Sequence, residues 1–128
     1  IQAKVTQVKL PFLKKWLTRK HEIGTYYTEQ LSMHYITPKE MKWGKHTYYV
    51  YVLQHPYRDK LRAKLADAGI GTGIHYNKPI HLAPAYKQYT KSLPITEKLS
   101  KDVFSIPIYP HLKDAQVEYI VKKLKELQ

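Results

Sequence analysis

Apolar residues recur at helical spacing through the first 31 positions, at Val5, Val8, Phe12, Trp16, Ile23, Tyr27 and Leu31. That period predicts one long helix over 1–31. Pro11 falls inside the run, where its ring and missing N–H kink a helix or split it in two. Residues 32–45 lose the period and read as a loop ending in Trp43-Gly44-Lys45. The run HTYYVYVLQ at 46–54 is apolar on both faces, the pattern of a strand covered from both sides. Pro56 then suits a helix start, Tyr57, Leu61, Leu65 and Ala68 form one stripe, and Gly69 is placed as the C-terminal cap.

GTGIHY at 71–76 is expected to be a second strand, followed by a loop over 77–92 with a helical turn near 83–89. Pro94 opens a helix that the pattern carries to about Phe104. SIPIYP is extended, and its prolines confine it to a sheet edge or a strand end. Val117, Ile120, Val121, Leu124 and Leu127 mark a terminal amphipathic helix. The sum is an α+β domain of about three short, mainly antiparallel strands with helices packed on them.

One element overreaches that domain. A 31-residue helix runs about 45 Å, whereas a domain of this length has a radius of gyration near ~14 Å. One end must therefore overhang, and its first half (Ile1, Val5, Val8, Leu10, Phe12, Leu13) is apolar enough to need cover. The helix is expected to have been shaped against a further domain or a second subunit.

Composition narrows the classes. At 128 residues the chain fits one domain. There is no cysteine, hence no disulfide framework or thiolate metal site, and the cytoplasm is the expected compartment. No apolar run is long enough to span a membrane, and no charged stretch leads into an apolar leader core at the start. The net charge of +12 is uneven: residues 1–64 hold thirteen of the 22 basic side chains and only four of the 10 acidic ones. Such a bias attracts polyanions or phosphorylated small molecules, or else simply solvates the surface. Only Arg19, Arg58 and Arg62 are arginines; base-edge readout leans on arginine, so a sequence-specific DNA reader is disfavoured.

The stretch GIGTGIHYNKPIHLAPAY (69–86) holds the chemistry-bearing residues. A phosphate cradle needs a strand before its glycines and a helix after them; here the expected order is reversed, and the spacing matches neither dinucleotide nor P-loop pattern. His75 and His81 could share a metal, but no Asp or Glu lies between Asp67 and Glu97 and a third ligand would be as distant as His111, so no metal site is assigned. No serine stands in a nucleophile-elbow context.

Three segments resemble the C-terminal third of the DegT/DnrJ/EryC1/StrS family: IQAKVTQVKLPFLKKW, GIGTGIHYNKPIH with the AY soon after, and LPITEKLSKDVFSIPIYPHL. They cover essentially the whole chain in the family's order. The resemblance implies the small domain of a fold-type I aminotransferase at 32–128, preceded by the long interdomain helix at 1–31, in a protein that is usually a homodimer. It also implies transfer of an amino group from an amino acid to a keto-sugar carried on a nucleotide, with pyridoxal phosphate as cofactor. The Schiff-base lysine, the aspartate facing the pyridine nitrogen and most of the phosphate cup belong to the family's large domain. The 128 residues alone are thus expected to bind no cofactor and to lack activity. By the same resemblance His75, Tyr76, Lys78 and His81 are substrate-binding residues of the cleft wall. The competing structural reading has His75 capping a strand and Tyr76 packed in the core. Where the family has Asn after the Trp and Arg three residues on, this chain has Leu17 and Lys20. Two other readings stay open: a free-standing, non-catalytic small domain that binds or dimerises, and a basic nucleic-acid-binding module.

Overall fold

The computed structural model describes residues 1–89 and 91–128. Helix α1 spans Gln2–Lys9 and α2 Leu13–Leu31, joined by a 3-10 turn at Leu10–Phe12. Strand β1 follows at Tyr51–Gln54 and helix α3 at Arg58–Asp67. Two 3-10 segments, Ile80–Leu82 and Pro84–Tyr89, lead to α4 (Pro94–Asp102), β2 (Val103–Ile106) and α5 (Asp114–Glu126).

Pro11 sits in the 3-10 turn, and the backbone keeps right-handed helical angles on either side, at Lys9 and Leu13. Nothing on α1 is buried. Burial begins on α2, where Ile23, Tyr27 and Leu31 present one face to α5 and its stripe of Val117, Ile120, Val121 and Leu124. Apolar positions four apart fall on one side of a helix, so each helix offers a single stripe to the shared core. The tyrosines explain their abundance here. Tyr27 donates its hydroxyl to Pro107 O (3.0 Å), Tyr35 to Leu124 O (2.6 Å), and Tyr51 shares a hydrogen bond with Thr28 Oγ1 (2.7 Å). Each ring fills core volume while its oxygen finds a partner, the condition for burying a phenol.

The sheet is smaller than the apolar pattern predicts. β1 and β2 pair antiparallel in the register Tyr51↔Ile106, Val52↔Ser105, Leu53↔Phe104 and Gln54↔Val103. Of the expected strand at 46–54 only the last four residues join the ladder. The amide of Tyr48 goes to His46 Nδ1 (2.9 Å), and Tyr48 itself has φ of 45°. A local side-chain acceptor has displaced the ladder there. The expected strand at 71–76 shrinks to one bridge, in which Gly73 and Ser105 exchange both backbone bonds (2.8 and 3.0 Å). Before it, Arg62 takes both the Thr72 hydroxyl (2.9 Å) and carbonyl (3.3 Å), so Thr72 is held by α3 instead of by the sheet. α4 ends at Asp102, two residues before the expected Phe104, and β2 leaves it directly. Pro107 and Pro110 lie beyond β2, as prolines must.

Gly69 closes α3 as expected. Its φ is 75°, its amide donates to Ala66 O (2.9 Å), and the Ile70 amide donates to Leu65 O (2.8 Å). That pair of bonds is a Schellman cap, and buried Ile70 and Leu65 supply the apolar contact that accompanies it. Among the described residues no helix is long and apolar enough to cross a membrane.

Candidate functional site

The cap at Gly69 turns the chain back along the sheet, and the Gly73 bridge pins it beside β2. Two residues later His75 and Tyr76 leave the sheet edge. A Cβ on Gly73 would lie 2.8 Å from His75 Nε2 and 2.9 Å from Ser105 Oγ, so glycine lets the imidazole fold back over its own backbone. The His75–Tyr76 peptide is cis, and the two rings stand edge to face with centroids 6.3 Å apart. His75 is exposed and Tyr76 is 82% exposed, so Tyr76 does not pack in the core.

Both residues open onto a cleft of about 820 Å³. Lys78 and His81 line it too, so all four candidate residues share one concavity. Tyr86 and Tyr89 from the second 3-10 segment line the same cleft, with Leu99, Ser100 and Val103 as its floor. The lining is largely apolar with a few polar groups converging on it, which is the make-up of small-molecule sites. Sequence reasoning gave Tyr86, Tyr89 and the α4 face no place in the site, because only the folded strap brings them to the same cleft as His75.

His81 is turned inward, its side chain 11% exposed, with Nε2 3.2 Å from Glu97 Oε1. Glu97 also accepts the Leu93 amide at 2.9 Å. The Leu93 amide first, and His81 second, hold the Glu97 carboxyl below its usual range. Behind the floor lies Arg58, which the sequence reading passed over. Its buried guanidinium donates to the carbonyls of Ser100 and Val103 and to Asp59, tying the start of α3 to the α4–β2 junction. The signal was present: an arginine in a chain that otherwise uses lysine marks a place where a planar fork is needed.

The described residues contain no cluster of three His, Cys, Asp or Glu side chains able to hold a metal. For pyridoxal phosphate the test is a lysine whose amine is desolvated enough to form a Schiff base. Lys78, the cleft's lysine, is exposed. Lys20, whose pKa burial pushes down, lies on α2 and does not line the cleft. Neither of these two lysines fits the cofactor's covalent anchor.

Comparison with known proteins follows the same lines. Residues 1–125 match the model of the DegT/DnrJ/EryC1/StrS aminotransferase family. The chain is 37% identical to the erythromycin biosynthesis sensory transduction protein EryC1 of Saccharopolyspora erythraea, over 98% of this chain and 36% of that one. It is 32% identical to the dTDP-3-amino-3,6-dideoxy-alpha-D-galactopyranose transaminase of Aneurinibacillus thermoaerophilus, over 95% and 34%. Among solved structures, a DegT DnrJ EryC1 StrS aminotransferase from Brucella abortus superposes with a TM-score of 0.92 at 30% identity, over 98% of this chain and 34% of that one. DesV from S. venezuelae gives 0.93 at 30% identity, over 98% and 35%. The chain thus spans about a third of the length of these relatives.

Proposed function

We propose that this chain, which belongs to the DegT/DnrJ/EryC1/StrS aminotransferase family, forms the small-domain wall of a sugar aminotransferase cleft. In this reading it holds a keto-sugar carried on a nucleotide, and the amino group comes from an amino-acid donor. Pyridoxal phosphate, held by residues outside these 128, supplies the electron sink for the amino transfer.

The observation that carries the reading is the convergence of His75, Tyr76, Lys78 and His81 on one open cleft. An imidazole and a phenol offer donors and acceptors to sugar hydroxyls and phosphate oxygens. The Lys78 ammonium balances diphosphate charge, and the exposed faces of Tyr86 and Tyr89 suit a flat or weakly polar ring. Two further points support the substrate class: the excess of cations, which draws an anionic nucleotide sugar towards the domain, and the sugar transaminase among its relatives. The apolar side chains Val5, Val8, Leu10 and Phe12 on the N-terminal arm are all exposed, and clustered apolar exposure of this kind suits a partner surface. We assign them to association with a second copy. The cytoplasm, which suits a chain without cysteine, is the proposed location.

The test is kinetic, with the chain joined in frame to a large domain of its family and glutamate as donor. His75→Ala should raise KM for the nucleotide sugar or lower turnover by about five- to hundred-fold, the value of one hydrogen bond, with cofactor loading unchanged. Unchanged kinetics with a lower melting temperature would make His75 structural and remove the reading.

A further inference from the structure

We infer that His81 acts on the cleft through Glu97: the pair is a clamp that fastens the strap of residues 77–89 to the start of α4 and so holds Tyr86 and Tyr89 as the aromatic side of the cleft. The inference rests on the substrate-cleft reading above for its functional consequence, and on geometry for the clamp itself.

His81 lies in the 3-10 turn Ile80–Leu82, whose other side chains face solvent at 74% and 41% exposure. Its own ring alone turns inward. There Nε2 meets Glu97 Oε1 at 3.2 Å, and that same oxygen accepts the Leu93 amide at 2.9 Å. One carboxylate oxygen thus serves both the first turn of α4 and the strap. The anion is well placed, because a helix start favours negative charge, and Glu97 is held below the usual carboxylate range by these two contacts.

The strap needs such a tie. Its backbone bonds at Leu82, Ala83 and Tyr86 are local, each to the carbonyl three residues back. Tyr86, with φ −118° and ψ 17°, breaks the second 3-10 segment into two. Tyr86 and Tyr89 remain 47% and 67% exposed, so little core burial fixes them. Segments of this kind open easily. A charge-assisted contact between a strap imidazole and a carboxylate anchored on a helix supplies a fixed point. His81 is then a positioning residue: it sets where the tyrosines stand and leaves ligand contact to them and to His75, Tyr76 and Lys78.

The experiment uses the 128-residue chain with two readouts: amide hydrogen exchange, and affinity for thymidine diphosphate followed by NMR titration. His81→Phe keeps a flat ring without nitrogen, Glu97→Ala removes the acceptor, and Glu97→Gln keeps an oxygen for both partners. Exchange at Leu82, Ala83 and Tyr86 should quicken at least about tenfold in His81→Phe and Glu97→Ala, the scale of one charge-assisted bond, while β1 and β2 amides stay unchanged. Thymidine diphosphate affinity should drop by a similar factor, with the double variant no weaker than the worse single one. Glu97→Gln, which keeps the accepting oxygen but loses the charge, should fall between the parent and Glu97→Ala. Unchanged exchange, additive losses, faster exchange without loss of affinity where the parent binds, or Glu97→Gln as impaired as Glu97→Ala would each overturn the clamp. If the parent chain binds no thymidine diphosphate, the cleft reading fails on its own, and the exchange data alone still decide whether His81 and Glu97 hold the strap.

Discussion

Gly24→Ala sets two opposing effects against each other, and the structure decides the sign. On α2 the replacement gains helix propensity, about 0.8–1 kcal/mol in favour of alanine. Against it stands the ring of Tyr48, which would lie 2.7–2.8 Å from the new Cβ at Cε2, Cδ2 and Cζ. That ring has little room to retreat. It is 4% exposed, stacks on Tyr51 at 5.8 Å, and meets His46 at 4.4 Å and His21 at 5.8 Å. Its backbone is also constrained, with φ of 45° and the amide held by His46. Overpacking of this kind costs about 1–3 kcal/mol. We expect a net loss of up to about 2 kcal/mol, seen as a lower urea midpoint with an unchanged slope, and a Tm lower by up to about 8 °C. In a Tyr48→Gly background, which removes the ring and suits the positive φ, the same Gly24→Ala change should stabilise by about 1 kcal/mol. Circular dichroism unfolding of the four proteins completes the cycle. A stabilised Gly24→Ala single variant would refute the claim that Gly24 is a notch for Tyr48.

Gly69→Ala isolates a backbone effect, because φ is 75° and no atom lies within 4 Å of the added Cβ; it should cost about 1 kcal/mol in the same urea assay, with Gly69→Asn milder. Burial pushes Tyr35 and Tyr51 from their ordinary value near 10 to about 12. A proton retained by the folded state stabilises it fully below pH 10 and progressively less as pH rises through about 12. Absorbance at alkaline pH should therefore show these phenols ionising together with unfolding, not before it. Val8→Asp should weaken self-association through the N-terminal arm in sedimentation runs, and a clean monomer at high concentration that the substitution leaves unchanged would dispose of that interface.

How far the sequence carried depends on whether a residue's partner lies nearby in the chain. The stripes of α2 and α5 were legible, because burying Ile23, Tyr27 and Leu31 against Val117, Ile120 and Leu124 needs only helical spacing. The Gly69 cap was legible too, since the Schellman bonds close within five residues. The strand at 46–54 was over-read: His46 takes the Tyr48 amide from the ladder, and the Tyr48 ring lodges against Gly24, on another element. At 71–76 the alternation looked like a strand, yet Arg62 claims Thr72 from α3 and leaves Gly73 alone to pair. In the cleft, His75, Tyr76, Lys78 and His81 sit in one stretch and could be named together. Tyr86 and Tyr89 share their cleft only because the strap folds over, and Glu97 reaches His81 across sixteen positions.

The division of labour among the cations sharpens the functional reading. All three arginines fasten one element to another: Arg19 on α2 donates to Leu112 O at 3.0 Å and pairs with Asp114 at the start of α5, Arg58 joins α3 to the α4–β2 junction, and Arg62 holds Thr72. Each uses its planar fork to reach two acceptors at once, which a lysine ammonium on a flexible stem does poorly. The ion pairs of the described lysines are short-range, as in Lys98 with Asp102 and Lys123 with Glu126, one turn apart on a helix, and such contacts add little stability; Lys125 also reaches Gln30 on α2 at 2.8 Å. A net charge of +12 is thus largely surplus to the fold's own needs. A fold held by three arginines and surrounded by lysines resists rearrangement at its frame while keeping a positive field outside it. On the proposed function, an anion drawn in by that field would meet, at the cleft, the donors and acceptors of His75 and Tyr76 beside the ammonium of Lys78. On that proposal, long-range charge would govern the rate of encounter, and the cleft's shape and hydrogen bonds which anion stays.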